Sequence, residues 1–118
     1  MLASAVALTA CAAPDTPEAQ VARGAVVYAQ HCQGCHDVTG AIGVALTGGV
    51  IGSYGTADRP WSYLRVAMPY GAPGSLDAQA YRDIVAYLAS NRGSRAVPLI
   101  GDSATAAQVS LLGPLPDP

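Results

Sequence analysis

Cys32-Gln33-Gly34-Cys35-His36 puts two thiols three residues apart and an imidazole directly after the second. That pattern is the attachment signature of a c-type haem. On one helical turn both sulfurs reach the two vinyl groups of a single haem and form thioethers, and His36 lies beneath the iron as its proximal ligand. Two other uses of C-x-x-C are weaker here. A thioredoxin-like redox pair belongs in a βαβ context, and none is visible. Zinc wants four Cys or His ligands. The candidates are His31, Cys32, Cys35, His36 and the distant Cys11, and the first four come as two pairs of chain neighbours. Closing a tetrahedron with them would strain the backbone.

A haem with one histidine ligand leaves a distal position, and the sequence offers a thioether for it. Of the two methionines, Met1 belongs to the leader region and Met68 stands 32 residues beyond His36, followed by Pro69. Pro69 fixes its own φ and pushes Met68 toward an extended conformation, which suits a sulfur presented from a loop. His/Met ligation raises a haem potential. The competing use of Met68 is as a core gap-filler. His31 lies on the same helical stretch as the thiols, so it belongs away from the opposite haem face.

At 118 residues the chain reads as one small domain, with one tryptophan and no phenylalanine. A haem macrocycle supplies the apolar bulk that such a core lacks. The net charge is −2, which argues against nucleic-acid binding, since that normally needs a basic patch. Lysine is absent and all six basic residues are arginines, so electrostatic guidance of a partner falls to Arg59, Arg65, Arg92 or Arg95, or to the acidic side.

Residues 1–10 are apolar and uncharged. They are too short to span a bilayer, which needs roughly 20 apolar residues, and they match the core of a secretory signal. The run Leu8-Thr9-Ala10-Cys11 resembles a bacterial lipoprotein box, in which the cysteine takes a lipid and anchors the chain. An ordinary signal peptide is the alternative. Ala12, rather than an aspartate, favours the outer membrane in that system. Residues 11–17 read as a tether.

The elements that must position the chemistry follow. A helix over 18–33 carries Val21, Gly24, Ala25 and Tyr28 on one face, and a second over 78–90 carries Tyr81, Ile84, Val85 and Leu88. Asp77 caps the second helix and Asn91-Arg92-Gly93 stops it. Gly24 costs about 1 kcal/mol against alanine, which close approach of another helix would justify. A shorter helix covers Trp61–Val66 and ends at the methionine loop. Residues 38–58 read as glycine-rich loop. Residues 93–118 read as an extended proline-rich tail, with one helical turn near Thr105–Leu111.

Taken together, Gly24, Tyr28, the C-x-x-C-H pentapeptide, Ala67-Met68-Pro69 and Asp83–Leu88 resemble the class I cytochrome c family over residues 18–92. The resemblance implies an all-α fold wrapped around one covalent haem c, with the first and last helices crossing where Gly24 and Tyr28 meet Ile84 and Tyr87. It also implies that a carbonyl after His36 orients its ring. The family often uses a proline there, and Val44 occupies the corresponding place. Arg59, Trp61 and Tyr54 become candidates for the haem propionates, since an arginine fork suits a carboxylate. The alternative puts Arg59 on a solvated loop and Trp61 in the core.

The stretch Arg65–Leu76 is similar to cytochrome subunits that accept electrons from periplasmic dehydrogenases, notably those oxidising sulfite or other sulfur compounds. That implies a one-electron carrier rather than an enzyme, passing electrons to a downstream cytochrome or oxidase. The rival classes are a haem catalyst or gas sensor with a labile sixth ligand, and a structural lipoprotein with no haem.

Overall fold

The computed structural model describes residues 14–37 and 39–111. The leader, Cys11 and the last seven residues lie outside that range. Six helices follow in order: α1 Pro17–His31, α2 Gln33–His36, α3 Gly48–Gly52, α4 Asp58–Ala67, α5 Ala78–Ala89 and α6 Ser103–Ala107. The one β interaction among the described residues is an isolated bridge between Thr56 and Ser110. The architecture is all-α.

The two main helices begin at side-chain caps, whereas α4 begins without one, at Asp58 rather than at the expected Trp61. The Thr16 hydroxyl accepts from the Ala19 amide at 3.0 Å, with Pro17 opening α1, so a donor the helix leaves orphaned is satisfied. The Asp77 carboxylate does the same for the Ala80 amide at 2.7 Å. Helix α4 stops at Met68, whose φ of −124° and ψ of 154° are extended, because a residue before proline disfavours the helical region.

Helices α1 and α5 meet at Gly24. A Cβ built there would overlap the Asp83 carbonyl and stand 2.8 Å from Tyr87 Cβ. The glycine is therefore a packing requirement. Four residues on, the Tyr28 and Tyr87 rings lie 5.3 Å apart at 54°, a tilted pair of the favoured kind. The expected contact with Tyr87 is present, Tyr28 and Ile84 share the buried core, and the nearest backbone to Gly24 is that of Asp83.

Two expectations need correction. The 38–58 loop contains α3, capped by the Thr47 hydroxyl, which accepts from the Val50 amide at 3.2 Å. The described part of the tail, 93–111, is integral to the fold: Val97, Ile100, Ala106, Val109 and Leu111 are all buried in the core. Gln20 fastens it. Its amide donates to the Ile100 carbonyl at 2.7 Å and accepts from the Ile100 amide at 2.8 Å. The Ala57 amide donates to the Val109 carbonyl, and the Leu111 amide to that of Gly55. The helical turn sits at Ser103–Ala107, two residues earlier than its expected start, because Asp102 caps it through the Thr105 amide at 2.7 Å.

Candidate functional site: a haem attachment centre

Helix α1 ends at Cys32, whose carbonyl then accepts from the Cys35 and His36 amides at 3.1 and 2.9 Å. This separate turn carries the motif, so the thiols and the imidazole leave one tight helical turn rather than a continuous helix. Cys32, Cys35 and His36 are all half-buried, and both cysteines are free thiols. Burial, with a smaller push from a Cys35 thiolate, raises the Cys32 thiol to about 11. A redox-active C-x-x-C needs the opposite, a depressed thiol. Among the described residues no group of three or more His, Cys, Asp or Glu side chains is placed to hold a metal ion, so the zinc reading has no ligand set there.

The segment after the motif folds back over it. The Gly40 amide donates to the Asp37 carbonyl at 2.8 Å, and that of Gly43 to the Cys35 carbonyl at 3.0 Å. The Val44 carbonyl thereby comes to 2.6 Å from His36 Nδ1. A carbonyl oxygen can only accept, so Nδ1 carries the proton and Nε2 presents its lone pair. That is the tautomer an iron ligand requires, oriented as metal-binding histidines usually are. Valine serves because the acceptor is backbone. Gly43 completes the arrangement: a Cβ there would overlap His36 Cε1 and stand 2.8 Å from Nδ1 and 2.9 Å from Nε2.

Met68 leaves the end of α4 half-buried, with a cis peptide bond to Pro69. Its carbonyl accepts from the Tyr81 hydroxyl at 2.7 Å and from the Gly74 amide at 3.2 Å. The methionine is thus fixed to α5 through its backbone. Arg59 is exposed on the first turn of α4, whereas Trp61 and Tyr54 are half-buried against the core. His31, at the end of α1, is exposed.

The chain's own surface supports a large apolar group here. Six large hydrophobic side chains are exposed among the described residues, and five of them are Ile42, Val44, Tyr63, Val66 and Tyr70. These belong to the loop that orients His36 and to the α4–Met68 segment. Val66 is 68% exposed and Ile42 83%, a costly display of apolar surface unless something covers it. The thiol pair, a histidine whose Nδ1 bond leaves Nε2 for a metal, and exposed apolar side chains on the segments carrying His36 and Met68 fit a haem c.

Residues 19–88 match the family described as cytochrome c oxidase, cbb3-type, subunit III. The chain belongs to that family. It is a c-type cytochrome, its cofactor is covalently bound haem c, and its chemistry is electron transfer. The match nearly coincides with the 18–92 span of the class I resemblance. No curated protein and no solved structure matches the chain. Cytochrome c domains typically face the periplasm or otherwise lie outside the cytoplasm. No helix of the described residues is long and apolar enough to cross a membrane.

Sequence reasoning missed two contributors. Tyr81 looked like core yet holds the Met68 carbonyl, and Gly43 looked like generic loop yet makes room for the His36 ring. Only Tyr81 left a trace, a polar-tipped aromatic on an apolar face.

Proposed function

We propose that the protein is a one-electron carrier whose single haem is attached through Cys32 and Cys35 and ligated by His36 and Met68. The observation that carries this reading is the His36 Nδ1 bond to the Val44 carbonyl, which leaves Nε2 as a ready-made iron ligand. The backbone-anchored, extended Met68 is the distal partner in this reading. When bound, the haem supplies a reversible one-electron couple, and a thioether opposite an imidazole shifts it toward higher potential. The protein's part is to keep both axial positions filled, to exclude water with the apolar lining, and to leave a haem edge within a partner's reach. Arg59 and Trp61, at the start of α4, are placed by this reading against the propionates.

The wider setting belongs to the same proposal. Cys11 takes the lipid that anchors the exported chain to the periplasmic side of a bacterial membrane, with the outer membrane favoured. The donor is a periplasmic dehydrogenase, for which sulfite or another sulfur compound is the first candidate substrate. The acceptor is a downstream cytochrome or oxidase. The similarity of Arg65–Leu76 to dehydrogenase-linked cytochromes supports the donor, and Leu8-Thr9-Ala10-Cys11 supports the anchor.

Carbon monoxide tests the carrier reading. The reduced wild-type protein is expected to keep its spectrum under carbon monoxide and to titrate as one electron per chain. Rapid binding would instead mean an open or labile sixth position, the property of a catalyst or sensor. For the anchor, Cys11→Ser should move the protein from the membrane to the soluble fraction with its spectrum intact. Wild-type protein already soluble, with an unmodified Cys11, would leave only an ordinary signal peptide.

A further inference from the structure

Asn91, Arg92 and Gly93 have φ values of 50°, 59° and 86°, three successive left-handed residues at the end of α5. Glycine and asparagine tolerate this region; a long side chain such as arginine does so at a cost of about 1 kcal/mol. A turn alone would be served better by glycine at 92. What arginine adds is its reach. The guanidinium lies 4.8 Å from the centre of the Tyr28 ring. Its Nη2 donates to the Tyr28 hydroxyl and to the Leu46 carbonyl, each at 3.1 Å. The Tyr28 hydroxyl in turn donates to the His36 carbonyl at 2.6 Å.

One cation therefore reaches backbone on both sides of His36, beside the bonds of the motif's own turn. Through Tyr28 it fixes the residue's own carbonyl. Through Leu46 it fixes the segment whose Val44 carbonyl, two residues away, receives the imidazole N–H. The Arg92 amide, bonded to the Tyr87 carbonyl at 3.0 Å, ties the whole arrangement to α5. We propose that Arg92 is a positioning residue for the proximal haem ligand, setting the strength of the His36 Nδ1–H bond to Val44 without touching iron or haem. The inference rests on the reading of His36 as the iron ligand.

The potential alone is a poor readout. Losing the positive charge favours oxidised iron, whereas a slacker imidazole bond makes a less basic ligand and favours reduced iron. Exchange of the His36 ring N–H with solvent reports the bond directly. It is followed by nitrogen-15 NMR in the reduced, haem-loaded protein, beside the Ile84 and Val85 amides of α5. In Arg92→Gln the ring proton should exchange about tenfold faster, the scale of one lost hydrogen bond to a charged group, with the α5 amides unchanged. Arg92→Lys, which keeps the charge but not the fork, should fall between.

Equal acceleration of ring proton and α5 amides would reduce Arg92 to a general stabiliser and overturn the proposal, as would an unchanged ring proton. If Arg92→Gln does not fold, Tyr28→Phe makes the same comparison, since it cuts the link to the His36 carbonyl and keeps the ring. The ligand reading is checked separately in the oxidised wild type, where an iron-bound His36 shows large paramagnetic shifts. Their absence would defeat that reading whatever the variants do.

Discussion

The hydroxyl of Tyr81, on α5, donates a 2.7 Å hydrogen bond to the carbonyl of Met68, thirteen residues earlier at the end of α4. The bond couples the best-formed helix of the fold to the residue proposed to close the iron's distal side. Tyr81 is buried, and its oxygen also accepts from the Leu76 amide at 3.4 Å. A core tyrosine thus acts as a peg for the methionine loop.

Tyr81→Phe keeps the ring and removes the peg. It loses the long Leu76 bond as well, but the bond to Met68 is the one that holds the loop. Losing a neutral hydrogen bond costs about 1 kcal/mol, which raises the population with Met68 detached about fivefold. Imidazole or cyanide binding to the oxidised protein measures that population. Binding no tighter than in wild type would mean that Gly74 and the loop alone hold Met68.

Gly43→Ala puts a methyl where the His36 ring lies, 2.8 Å from Nδ1. Either the ring or the loop must move, so the yield of covalent haem per chain should fall severalfold. Gly49→Ala is the control, because its Cβ meets nothing closer than Thr47 Oγ1 at 3.8 Å. Haem stain against total protein reads both, and equal yields would show that the loop gives way freely.

Gln20→Ala removes both bonds to Ile100 and leaves a donor and an acceptor buried without partners. Gln20 is 1% exposed, so the expected loss is about 2–4 kcal/mol, seen as a lower midpoint in a denaturant titration. An unchanged midpoint would mean that the Gln20 clamp contributes nothing to stability and that burial alone holds the 93–111 segment.

The same residue shows where sequence reading stops. The two main helices and the haem motif were legible because each rests on local chemistry: a cap at Asp77, a 3.6-residue stripe, thiols and an imidazole at fixed spacing. The role of Val44 was legible too, since a backbone carbonyl needs only a place in the chain. Gln20 was not, because its partner lies 80 residues away and a glutamine on a helix usually faces water. Its missed clamp is why 93–111 read as a tail, although Val97, Ile100, Val109 and Leu111 were apolar all along. Prolines and short apolar runs gave no period from which burial could be inferred. Arg92 failed for another reason: its function depends on a left-handed backbone that sequence favours only for glycine or asparagine.

The central claim is that Met68 closes the iron, and the spectrum of Met68→Ala in the oxidised, haem-loaded protein tests it most directly. Met68 is the sole thioether among residues 2–118, so no other methionine can replace it there. The variant should lose the weak sulfur-to-iron charge-transfer band while retaining covalent haem, show a lower midpoint potential, and bind carbon monoxide once reduced. Retention of the wild-type band and potential would contradict the claim, leaving Met68 as packing and the distal ligand elsewhere.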